Sequence, residues 1–174
     1  MERVYETNFS SPLGELLLVA SESALVGVFL PGHRWPPLRG SARAVGESEI
    51  LAQATRELDE YFHGRRTRFT LPLATEGTPF QRRVWTALES IPYGETRSYR
   101  WLAETIGKAK AVRAVGAANG RNPISIVVPC HRVIGSDGSL TGYGGGLAAK
   151  SWLLDHESRF IARARSTAAD EARV

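Results

Sequence analysis

The chain has 174 residues, a formal net charge of +4, and 43% hydrophobic against 23% charged residues. That composition excludes fibrous and disordered classes, and no run approaches the roughly 20 apolar residues of a membrane span. One cysteine excludes an internal disulfide, and four scattered histidines offer no metal-ligand cluster, so neither metal nor cofactor is expected. The first residues, Met1-Glu2-Arg3-Val4-Tyr5-Glu6, lack the basic start and apolar stretch of a signal peptide, which points to a cytoplasmic protein. The charge is uneven: residues 1–77 carry 8 Lys/Arg against 10 Asp/Glu, and residues 78–165 carry 13 against 6. A polyanionic partner for the second half would account for this, as would an ordinary surface.

In chain order, residues 4–9, 15–20 and 24–30 are short β-like runs separated by Ser10-Ser11-Pro12-Leu13-Gly14 and Ser21-Glu22-Ser23, the pattern of a small antiparallel meander. The Pro-, Gly- and Arg-rich stretch 31–48 has no periodicity and reads as a loop. Helical spacing returns at Ile50, Leu51, Ala54, Leu58, Tyr61 and Phe62, with Gly64 as the stop. His33 and His63 have no carboxylate pattern around them and read as surface or structural residues. Near residue 77 the chain changes character, and a domain boundary is expected there.

Thr78-Pro79 has the form of an N-cap followed by a proline in the first turn. Phe80, Val84, Trp85 and Leu88 mark the buried face of the helix it starts, and Ile91-Pro92-Tyr93-Gly94 ends it. Ser98 then caps a helix over residues 99–106, Gly107-Lys108 turns the chain, and residues 111–119 form a second helix. Together they make a helix-turn-helix candidate. On its outer side the second helix shows small residues, Ala111, Ala114, Ala117 and Ala118, together with Gly116 and one long cation, Arg113. Small side chains permit close approach, either to a DNA groove with Arg113 reaching into the duplex or to a tightly packed neighbouring helix.

Residues 124–128 hold four β-branched side chains in five and lie between Pro123 and Pro129, which reads as a short strand buried on both faces. The only cysteine, Cys130, follows at once, with His131 and Arg132 next. Downstream, Thr141-Gly142-Tyr143-Gly144-Gly145-Gly146 has four glycines in five positions, suited to a close backbone wall around a flat ligand. It has no phosphate-loop spacing. A final helix is expected over residues 148–160, with Trp152, Leu153 and His156 spaced for core contact, and residues 163–174 read as a frayed tail.

A cysteine nucleophile works as thiolate, so it needs a lowered pKa or a base. His131 is the obvious base, although adjacent side chains point apart, so a sharp turn or a bridging water is required. The imidazole in turn needs an orienting acceptor, for which Glu157 and Asp155 compete. The bland alternative is a cysteine that is merely a small buried hydrophobe.

The segment Pro129-Cys130-His131-Arg132-Val133, with Arg113-Ala114-Val115-Gly116 and Asn122-Pro123 before it and Gly142-Tyr143-Gly144-Gly145-Gly146 after it, resembles the O6-alkylguanine-DNA alkyltransferases, the methylated-DNA–protein-cysteine methyltransferases. The resemblance is dense over residues 78–157 and looser before. It implies an α+β protein: an N-terminal small antiparallel sheet with a helix, RNase H-like, over residues 1–77, a mostly helical winged helix-turn-helix domain over 78–165, and a tail at 166–174. It implies that Cys130 accepts the alkyl group of O6-alkylguanine, and of O4-alkylthymine, irreversibly and stoichiometrically. His131, through water, and Glu157 would generate the thiolate. Tyr99 would press on the phosphate of the extruded guanine and protonate the leaving base.

By the same resemblance Arg113, Tyr99, Ala114, Ala117, Gly116 and Arg132 would meet duplex DNA, with the minor groove bound, Arg113 filling the stack and the lesion base flipped out. Asn122, Val133, Tyr143, Gly144, Gly145 and Gly146 would form the substrate pocket. The implied protein is a monomer that needs no cofactor. With one cysteine, the chain cannot carry the cysteine-rich zinc module of regulatory relatives. A cysteine hydrolase and a lesion-binding protein that does not transfer are the rival functions.

Overall fold

In the computed structural model, which describes residues 3–33, 43–44 and 48–172, β1 (Val4–Ser11), β2 (Gly14–Ala20) and β3 (Leu25–Phe29) form the antiparallel meander. Leu16, Leu18 and Ala20 alternate onto the buried face. The stretch 31–48 is not wholly a loop. Arg43–Ala44 (β4) runs parallel to Val4 and Tyr5 and completes a sheet of order β3-β2-β1-β4. This short strand exists because the free edge of β1 offers backbone partners, which local composition does not encode. The remainder of that stretch, residues 34–42 and 45–47, lies outside the described residues.

Helix α1 (Glu49–Phe62) is capped by the Ser48 hydroxyl, which accepts from the Leu51 amide at 3.3 Å. Leu51, Ala54, Leu58, Tyr61 and Phe62 form its buried face, which packs on the sheet. Glu57 shares this face. Its carboxylate takes the Thr70 amide and Gln53 Nε2, both at 2.8 Å, and so holds the following connection against the helix. The connection then runs beside β3, where the Leu25 amide donates to the Pro72 carbonyl and the Ala74 amide to the Leu25 carbonyl.

Helices α2 (Pro79–Leu88), α3 (Tyr99–Thr105) and α4 (Val112–Gly120) follow. Thr78 and Gln81 close a capping box around Pro79, and Ser98 caps α3 by accepting from the Trp101 amide. The middle of α2 holds both later helices, since Arg83 donates to the Ile106 carbonyl at 2.6 Å and Trp85 Nε1 to the Ala118 carbonyl at 2.9 Å. Ala118 therefore departs from the expected outer side. It lies three residues after buried Val115 and shares that face. A parallel pair, β5 (Arg97–Ser98) with β6 (Val133–Ile134), sets the chain after Cys130 beside the start of α3.

The expected strand at residues 124–128 is instead a tight turn. Ile124 makes one bridge to Val28 of β3, the Val128 amide then returns to the Ile124 carbonyl at 2.9 Å, and Ile126 sits at φ +73°. Pro123 and Pro129 cannot donate to a ladder, so beyond the one bridge to β3 the apolar run is buried by folding back. The final helix, α5 (Leu147–Glu171), is longer than expected and takes in most of the supposed tail. Residues 162–171 are all exposed, and Ala162, Ala164, Ala168 and Ala169 together with arginine favour continuing a helix already nucleated on the core.

Leu18, Leu25 and Leu58 from the first half join Val84, Leu88, Ile124 and Leu153 from the second in one contiguous core. Among the described residues no helix is long and apolar enough to cross a membrane.

Gly64 ends α1 at φ +70°, and a Cβ there would enter the ring of Phe160 on α5. Gly64→Ala is expected to cost about 1–3 kcal/mol, read as a lower midpoint in urea unfolding. An unchanged midpoint would show that this α1–α5 contact is slack.

Candidate active site

Asn122, just beyond α4, organises the loop that carries the cysteine. Its Oδ1 accepts from the Ile124 amide at 3.0 Å, and its Nδ2 reaches the Val128 carbonyl at 2.8 Å and Cys130 Sγ at 3.0 Å. One amide thus fixes both ends of the turn and the thiol. The turn holds a β-branched residue at positive φ, which costs of order 1–3 kcal/mol and persists only under such bracing. Cys130 opens a 3-10 turn, Cys130–Arg132, and its carbonyl accepts from Asn119 Nδ2 of α4 at 3.3 Å. The residue is 2% exposed. Burial pushes the thiol up to about 11, against smaller lowering effects of Asn122 and Lys150. At neutral pH the resting sulfur is protonated.

His131 is fully buried, and its Nε2 lies 2.7 Å from Glu157 Oε1. An ionised carboxylate only accepts, so Nε2 carries the proton and Nδ1 the lone pair. Burial holds the imidazole below its usual value although Glu157 opposes this, so the ring is a neutral base at neutral pH. For Glu157, burial alone would raise the carboxyl; His131 and Arg132 outweigh it and keep the group ionised, well below the usual carboxylate range. Tyr61 OH at 2.8 Å and the Gly94 amide at 2.9 Å also donate to it. Asp155, the competing acceptor, is exposed. Cys130 and His131 share the turn; the His131 backbone lowers the thiol slightly, and no side-chain hydrogen bond joins thiol and imidazole among the described residues.

Arg132 was expected to meet DNA, and the structure places it elsewhere. It is 6% exposed, with Nε and Nη2 each 2.9 Å from Glu157 oxygens and Nη1 2.7 Å from the Ile91 carbonyl. A guanidinium so committed cannot leave for a phosphate without abandoning a buried carboxylate.

On α4 the outward residues are Arg113, Ala114 and Ala117, with Gly116 half-buried under the ring of Tyr99. Arg113 makes no ion pair or hydrogen bond among the described residues. Tyr99 donates from its hydroxyl to the Thr141 carbonyl at 2.6 Å. This joins the first residue of α3 to the glycine-rich segment, where Gly142, Tyr143, Gly144, Gly145, Gly146 and Leu147, together with Gly32, line a cavity of about 460 Å³. Tyr143 is buried and Val133 completely so.

Residues 4–75 match the ribonuclease-like domain of 6-O-methylguanine DNA methyltransferase, and residues 79–159 match its DNA binding domain. The constitutive methylated-DNA–protein-cysteine methyltransferase of Bacillus subtilis is 47% identical over 156 residues, 88% of this chain and 94% of that protein. The chain belongs to the methylated-DNA–protein-cysteine methyltransferase family. Among solved structures, the O6-methylguanine methyltransferase of Mycobacterium tuberculosis is 46% identical with a TM-score of 0.81, covering 90% of this chain and 93% of that one. A Mycobacterium tuberculosis OGT solved in complex with DNA is 44% identical with the same TM-score, covering 91% and 94%.

Two residues of this family member escaped the sequence reading. Asn119 resembled any polar residue near a helix end. Lys150 resembled a surface lysine on an amphipathic helix, yet it is completely buried, with Nζ donating to the Val133 carbonyl at 2.5 Å, the Thr141 carbonyl at 2.7 Å and Tyr99 OH at 3.2 Å. Burial lowers its ammonium to about 8, while Cys130 acts in the opposite sense. The only sequence signal was its position one turn after the glycine run.

Because the chain has a single cysteine, iodoacetamide reports on Cys130 alone. Its rate in the free protein is expected to climb with pH toward about 11; a plateau by pH 8 would contradict a protonated resting thiol. In Lys150→Met the nearby cation is lost, so the rate below about pH 8, where that ammonium is still present, should fall. An unchanged or faster rate there would show that Lys150 does not act on the sulfur.

Proposed function

We propose that the protein repairs alkylated DNA by direct reversal, taking the alkyl group from O6-alkylguanine, and from O4-alkylthymine, onto Cys130 once per molecule. The observation that carries this reading is the sole thiol, set one residue from a neutral histidine whose far nitrogen is held by Glu157, on the flank of a helix-turn-helix whose Arg113 has no ion pair or hydrogen bond among the described residues. The thiol proton passes through a water to His131 Nδ1. The sulfur then attacks the alkyl carbon, the carbon–sulfur bond forms as the carbon–O6 bond breaks, and the departing guanine takes a proton from Tyr99. The product is a thioether, and the protein is consumed.

Duplex DNA is the partner. Ala114, Ala117 and Gly116 give α4 a low profile suited to the minor groove, and Arg113 is long enough to fill the stack when the lesion base is flipped out. Extrusion costs a few kcal/mol, least for a base that already pairs poorly, which favours lesions over intact guanine. The pocket receiving the base is formed by Asn122, Val133, Tyr143 and the Gly144, Gly145 and Gly146 wall. The protein acts as a monomer. A hydrolase would need the sulfur restored in every cycle and has no use for a helix-turn-helix. A binder without transfer has no use for the thiol, imidazole and carboxylate in line.

The deciding measurement is intact mass after incubation with duplex DNA bearing O6-methylguanine. One methyl group is expected on the peptide containing Cys130, with no further lesion removed when DNA is in excess. Repair beyond one equivalent, or lesion loss without protein modification, would overturn the reading. Cys130→Ala should retain DNA binding, weakening as salt rises.

A further inference from the structure

We propose that His33, in the N-terminal half of the chain, sets the width of the substrate pocket by bracing its glycine wall from behind. This rests on the alkyl-transfer reading above. Gly144 and Gly145 do not adopt positive φ, so backbone freedom is not what makes them glycine. Space is. A Cβ on Gly144 would lie 2.5 Å from His33 Nε2 and 2.9 Å from its Cε1, and a Cβ on Gly145 would lie 2.8 Å from Leu30 Cδ2. At both positions the wall is a single backbone thickness pressed against the turn that follows β3.

That turn is itself fixed. The His33 amide donates to the Leu30 carbonyl at 3.1 Å, and the imidazole stands edge-on to Phe29, with ring centroids 5.2 Å apart and planes at 86°. Phe29 and Leu30 are both buried. The contact chain therefore runs from the sheet through Phe29 to His33 and on to Gly144. A bulky O6 substituent that needs the wall to yield pushes against a ring set edge-on to buried Phe29. Leu30 braces Gly145 in the same way, but it belongs to the core, whereas His33 is half-buried at the rim. Its side chain can be removed without hollowing the core, which makes it the position where pocket width is adjustable.

The test compares second-order transfer rates to Cys130 from duplexes bearing O6-methylguanine and O6-benzylguanine, with a thermal midpoint recorded for each variant. His33→Ala is expected to raise the benzyl-to-methyl ratio several-fold. Gly144→Ala should slow transfer of both groups, because its new Cβ meets the imidazole, and adding His33→Ala to that chain should restore the rate. An unchanged ratio in His33→Ala, or a Gly144→Ala defect indifferent to residue 33, would overturn the inference. If the unsubstituted protein transfers neither group, the alkyl-transfer reading itself fails; if it transfers and the ratio stays fixed, only the role of His33 falls.

Discussion

Taking a carboxylate out of water costs several kcal/mol unless it is paired and hydrogen-bonded, and Glu157 is completely buried. Five donors meet its two oxygens: Tyr61 OH from α1, the Gly94 amide from the turn after α2, His131 Nε2, and two nitrogens of Arg132. With Glu157 itself on α5, this one group gathers the first helix, the α2–β5 turn, the cysteine turn and the last helix. Removing it would strand Arg132 as an unpaired buried charge, which typically costs 3–5 kcal/mol. It would also release the imidazole to either tautomer. Folding and chemistry thus depend on the same atoms.

The site is poised rather than active. Desolvation keeps the sulfur protonated, and Asn122 holds it in a turn that contains a strained isoleucine. A protonated thiol is a poor nucleophile toward stray electrophiles. For a group that can be used only once, this protection matters more than speed at rest. The neutral His131, with its lone pair on Nδ1, completes the arrangement by offering a base without adding charge to the interior.

How much of this the sequence revealed depended on whether the cause was local. Thr78-Pro79, Ser98 and the spacing in α1 carry their own signals, because caps and amphipathic faces are decided by neighbouring residues. The helix-turn-helix and the thiol with its histidine were legible for the same reason. Residues 124–128 misled because β-branched residues favour strands, whereas the turn is imposed by Asn122 and by the prolines that deny it a ladder. Arg132 was expected at DNA through the family resemblance. Its true partner lies 25 residues away in sequence, beyond any local pattern. Lys150 was missed because it matters through backbone that only the fold brings near, the Val133 and Thr141 carbonyls.

The charges around the sulfur can now be weighed against one another. Arg132 and Glu157 neutralise each other in a close pair, and His131 is uncharged, so that group contributes little net field at Cys130. Lys150 differs. Its ammonium is buried among two carbonyls and a phenol, none of which supplies a negative charge. A cation desolvated in this way is costly until an anion forms nearby. The thiolate is that anion, and the mutual effect of the two groups, lowering the thiol and raising the ammonium, is the signature of a charge awaiting its partner. Formation of a thiolate would therefore relieve an electrostatic cost already present in the fold, which works against the desolvation that keeps the thiol protonated.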